Sequence, residues 1–172
     1  MRSTKGFSLI ELLIVVAIIL IIAAIAIPNL LQAKIAANEA SAVGSIHTLT
    51  SGEITYNTAY PTVGYSNSIT ELGGAAPCSP SSTTACIVDN FLASAVPGSV
   101  GKSGYYFLVT GVMTGGATYN TGYVAGAAPI GVNSTGNRDF CSTNDGVLRS
   151  EMSTGGAPVN VIATCLVFPV AQ

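Results

Sequence analysis

From Phe7 to Ile27 the chain is apolar at nearly every position, and Glu11 is the single charge in those 21 residues. As a helix such a run spans roughly 32 Å, enough to cross the hydrocarbon core of a bilayer. Pro28 interrupts it, and the pattern then changes. Leu31, Ile35, Ala42, Ile46, Leu49 and Tyr56 fall within about 80° of one another at 100° per residue, the stripe of an amphipathic helix. Asn29 and His47 point the opposite way, Gln32, Lys34 and Ser41 lie to the sides, and Asn38 and Thr48 sit at the stripe's edge. The pattern predicts one long helix reaching about Tyr56. Pro28 removes a backbone hydrogen bond and should kink or loosen it, and Gly44 and Gly52 weaken it locally.

Beyond Asn57 the periodicity breaks up, with turn signals at Tyr60-Pro61 and Gly73-Gly74. Ser68 to Leu72 reads as one helical turn. Asp89 to Ala95 reads as a short helix capped by Asp89 and ended by Pro97-Gly98. After Gly104 the period shifts towards strands: Tyr105 to Met113, Thr118 to Ala125, Arg138 to Cys141, Val147 to Met152 and Val159 to Val167. Asn144-Asp145-Gly146 between two of them is a hairpin signal. The fold class is therefore α+β, a long N-terminal helix followed by an antiparallel sheet of four to five strands covered by the helix stripe. The implied divisions are a leader at 1–6, a membrane segment at 7–28, an amphipathic helix at 29–56, a connecting region at 57–103 and a sheet region at 104–172.

The order of charge and apolarity at the N-terminus carries the functional information. An ordinary secretory signal loses its apolar stretch on maturation. Here Arg2 and Lys5 form a basic head, Gly6 is a small residue a peptidase can accommodate, and the apolar run starts only afterwards. A cut between Gly6 and Phe7 would leave that run on the mature chain. The basic head would stay cytoplasmic, with everything after Pro28 beyond the inner membrane. A carboxylate inside such a segment is costly and marks function with a partner.

Gly6-Phe7-Ser8-Leu9-Ile10-Glu11, the apolar run, and Ala26-Ile27-Pro28 together resemble the type IV pilin family, which includes the pseudopilins of type II secretion. The match is strong over about residues 1 to 56. The resemblance implies the pilin fold, cleavage after Gly6 by a prepilin peptidase, and N-methylation of Phe7. It implies further that Glu11 meets the amine of a neighbouring subunit and sets axial register, as a lone buried polar group does in coiled coils. The subunit would wait in the inner membrane, then polymerise with copies of itself through inner-membrane assembly machinery. The resulting surface filament would serve adhesion, motility or DNA uptake. A short periplasmic pseudopilus for protein secretion is the alternative. A membrane-anchored binding module that never polymerises is a third reading. Stretches such as Gly52 to Pro61 and Thr135 to Phe140 also look like pilin-like proteins of soil and metal-reducing bacteria.

Charge and cysteines narrow the classes. Loss of Arg2 and Lys5 would leave four basic residues against eight acidic ones, a side-chain charge of −4. Lys34, Lys102, Arg138 and Arg149 are scattered and form no basic patch for nucleic acid. An uncharged surface rich in hydroxyls and amides suits side-by-side packing of many copies. Cys78, Cys86, Cys141 and Cys165 lack metal-type spacing and lie in the exported part, where disulfides form. Four cysteines allow three connectivities. Cys78–Cys86, closing a short loop, and Cys141–Cys165, resembling the pilin habit of stapling the C-terminal region, are favoured. His47 is the only histidine, no catalytic constellation stands out, and no cofactor motif is present, so an enzyme is not expected. Asp139, Asn144 and Asp145 near a turn are hard oxygen donors of the kind calcium takes, but turn chemistry also explains Asp145-Gly146. Asn133-Ser134-Thr135 fits the glycosylation pattern and equally a polar loop.

Overall fold

The computed structural model describes residues 6–171. Arg2 and Lys5 of the basic head lie outside the described residues. The chain divides into two units, Met1–Lys34 and Ile35–Gln172.

In the first unit Gly6, Phe7 and Ser8 are non-helical, and helix α1 (Leu9–Ala59) starts directly after them. The helix continues unbroken through Pro28. Beside Pro28, the Asn29 side-chain amide donates to the Ile25 carbonyl at 3.0 Å. The large apolar side chains from Leu9 to Leu30 are exposed on every face of the helix. A helix apolar all round needs a non-aqueous surrounding, and it satisfies its backbone internally. Among the described residues, α1 is the helix long and apolar enough to cross a membrane.

In the second unit the remainder of α1 behaves differently. Ile35, Ala42, Ile46, Leu49 and Tyr56 are buried on one face, while His47 is exposed on the other. Leu31, the first member of the predicted stripe, lies in the first unit and is 45% exposed. Two one-turn helices follow, α2 (Ile69–Leu72) and α3 (Asn90–Ala93). Asp89 caps α3 by accepting from the Leu92 amide at 2.9 Å, the usual way an orphan donor is satisfied.

The sheet is antiparallel in the order β1 (Tyr105–Val112), β2 (Gly122–Pro129), β3 (Arg138–Thr143), β4 (Arg149–Met152). Tyr105, Phe107, Val109, Tyr123, Ala125, Ala127 and Phe140 share one core with α1. Val124 and Cys141 point to the other face, where Cys165, Val159, Ile162 and Phe168 cover them. The α+β architecture implied by the sequence is thus present, with four strands.

Two strand expectations are corrected. The second strand is Gly122–Pro129, four residues later than Thr118 to Ala125. Every residue of it is buried, because both faces are covered, so the alternation that marks a one-sided strand is missing. Asn120 serves a loop contact instead, accepting from the Tyr65 amide and donating to the Val63 carbonyl. The expected last strand, Val159 to Val167, is largely a helix, α4 (Ile162–Val167). A short apolar run does not distinguish helix from strand. Here Cys165 bonds to Cys141 on the face of β3 away from α1, so the segment lies over the sheet instead of joining its plane. After α4 the chain returns to β4, where the Ser150 amide donates to the Pro169 carbonyl and the Ala171 amide to Leu148. That pairing covers an otherwise open edge.

Candidate processing and assembly site

Gly6 and Phe7, the proposed cleavage junction, lie just upstream of α1, and Phe7 is 84% exposed. A Cβ on Gly6 would meet no atom within 4 Å, so nothing among the described residues demands glycine there. Ser8 is the residue before the helix and Glu11 the third within it. The Ser8 amide donates to the Glu11 carboxylate at 2.9 Å, and the Ser8 carbonyl accepts from the Leu12 amide at 3.2 Å. Ser-x-x-Glu at these positions is a capping box, here with its glutamate half formed. Pro28 stands on the same helix, roughly 25 Å further along at 1.5 Å per residue.

The cysteines are joined as Cys78–Cys86 and Cys141–Cys165, with Cα atoms 6.1 and 5.8 Å apart. Of the three oxygen-bearing residues considered for calcium, Asp139 lies on β3 and Asn144 and Asp145 in the turn that follows it. The Asp145 carboxylate pairs with Arg149 at 2.6 Å and also accepts from Thr143 and the Val147 amide. These bonds, the guanidinium first, hold its pKa down at about 2. Asp139 lies upstream on β3, facing Glu151 across the ladder. Burial raises its carboxyl, Ser153 opposes the shift and Glu151 adds to it. Among the described residues no group of three or more His, Cys, Asp or Glu side chains is placed to hold a metal.

Two carboxylates that the sequence reading passed over tie α1 to the rest of the second unit. Glu39, nearly buried, accepts from Arg138 Nε at 2.9 Å and from the Asn137 amide at 2.8 Å, and pairs with Arg138 Nη2 at 2.7 Å. The guanidinium also lies 5.5 Å from the Phe140 ring centroid. Glu53 is fully buried and accepts from the Ser66 amide at 2.9 Å and from the Ser66 hydroxyl. Burial raises its pKa to about 7, the Ser66 bonds opposing and the charge of Glu71 adding. A signal for both was present. At 100° per residue Glu39 and Glu53 fall about 40° and about 0° from Ile35, inside the apolar stripe, where a carboxylate needs a buried partner.

Comparison with known proteins bears on the N-terminal segment. The family described as "Prokaryotic N-terminal methylation motif" matches residues 1–27. Over 39 residues the chain is 67% identical to the type IV wide pilus major component PilA4 of Thermus thermophilus, a match that takes in 23% of this chain and 30% of that relative. No solved structure matches the chain at a significant level. The methylation motif thus stands ahead of a long apolar helix and a four-stranded antiparallel sheet, and the likeness to a type IV pilin component lies in a 39-residue stretch that spans less than a third of that relative.

Proposed function

We propose that this chain is a structural subunit of a type IV pilus, cut after Gly6 by a prepilin peptidase, N-methylated at Phe7 and polymerised into a helical filament. The observation that carries the reading is Glu11 in register behind the Gly6-Phe7 junction, within a methylation motif that runs into a helix uncovered on all faces. Before assembly, the inner membrane would shelter residues 7–28. In the filament, equivalent helices would replace the lipid. Lipid is already apolar, so this exchange gives little hydrophobic gain, and shape fit and ion pairing must supply specificity. The methylated amine of Phe7 remains a cation. Pairing it with Glu11 of another subunit would spare both the cost of an unpaired buried charge. The role is structural, not catalytic. Adhesion, motility and DNA uptake are all compatible uses of such a filament.

The test is electron microscopy of sheared surface material with mass spectrometry of the fibres. Surface fibres built of a chain that begins at N-methylated Phe7 are expected. Only short periplasmic assemblies would point to a secretion pseudopilus, and a monomeric chain retaining Met1 would overturn the proposal.

A further inference from the structure

We infer that Glu11 has two successive partners, and that Ser8 is the first. In the isolated subunit the Ser8 amide donates to Glu11 at 2.9 Å. That donor is one of the N–H groups at a helix start with no partner inside the helix. In a lipid surrounding, leaving it unmade is costly. The carboxylate also lies at the end of α1 where the aligned peptide dipoles favour negative charge. Ser8 is on the mature side of the Gly6-Phe7 junction, so the donor persists after the leader is cut. Glu11 is therefore held by its own helix through membrane residence and processing. It exchanges that bond for the amine of another subunit only on polymerisation. This inference rests on the filament reading for its second partner, while the first stands on the geometry of the single chain.

The two roles separate chemically. Capping needs an acceptor oxygen, whereas pairing with a cation needs a charge. Glu11→Gln keeps the acceptor and removes the charge, and Glu11→Ala removes both. Ser8→Ala keeps the backbone donor.

The experiment measures amide exchange at Ser8 by NMR in the full-length chain in lipid nanodiscs, and filament yield in cells from the same variants. Parent, Ser8→Ala and Glu11→Gln chains should share slow exchange at Ser8. Glu11→Ala should exchange about fivefold faster, the effect of one lost hydrogen bond. Filaments should form with the parent and with neither Glu11 variant. Equal exchange in Glu11→Gln and Glu11→Ala would overturn the self-cap. Normal filaments from Glu11→Gln would instead overturn the pairing reading, and the exchange data would still decide the cap.

Discussion

Glu53 places a carboxyl with no exposed surface within the stripe by which α1 enters the core. Its folded pKa of about 7 stands above the ordinary 4.5 because burial penalises the charge. The folded chain therefore binds this proton more tightly than the unfolded one. The resulting stabilisation is whole below pH 4.5 and is lost as pH rises to about 7. The window corresponds to about 3 kcal/mol. Thermal unfolding of the full chain in detergent should show melting temperature falling across that range, and Glu53→Gln should flatten the slope. A parent curve that rises instead would contradict the assignment. Asp145 acts in the opposite sense and lower down, losing its contribution as pH falls from 3.8 to about 2. Glu39 is the second anchor. Glu39→Ala should cost about 2 kcal/mol by stranding Arg138 and the Asn137 amide. The figure is held below that of a fully buried pair because the Arg138 side chain is 43% exposed. Denaturant unfolding would measure it. These residues were legible as misplaced charges within the stripe. Their partners were not, because Ser66 and Arg138 lie 13 and 99 residues away in sequence.

At the scale of elements, α1 could be read directly, since patterns of helical length on both sides of Pro28 decide between helix and strand. The one-turn helices were also visible through Asp89 and the turns that bound them. The centre of the sheet was not. β2 consists of Gly, Ala, Val, Tyr and Pro with no polar alternation, and small residues there serve packing more than strand propensity. Gly126 shows why. A Cβ at this position would collide with the Val159 backbone, which crosses directly over it. Gly126→Ala should therefore destabilise the chain by about 1 to 3 kcal/mol, measured as a lowered melting temperature. The same crossing segment leads into α4, which the 141–165 disulfide holds over the sheet. Cys165→Ser should cost about 2 to 4 kcal/mol and speed amide exchange in α4 and at Ser150, whose donor bonds to Pro169. Unchanged exchange at both sites would show that apolar packing alone retains the segment.

For the molecule as a whole, the two units pose different chemical problems. The second encloses its own core, while the first exposes large aliphatic side chains that water does not stabilise. The N-terminal order of basic head, Gly6-Phe7 junction, Glu11 and apolar run is legible in the sequence because each feature is local. The peptidase step has its own check: Gly6→Leu should accumulate unprocessed precursor in the membrane, seen as a larger band on a gel. The claim on which the rest depends is that Glu11 is neutralised between subunits. A filament structure at side-chain resolution tests it most directly. The account requires the Glu11 carboxylate within hydrogen-bonding distance of the methylated Phe7 amine of another subunit. A carboxylate surrounded only by aliphatic side chains, or a polymer whose subunits still begin at Met1, would contradict it.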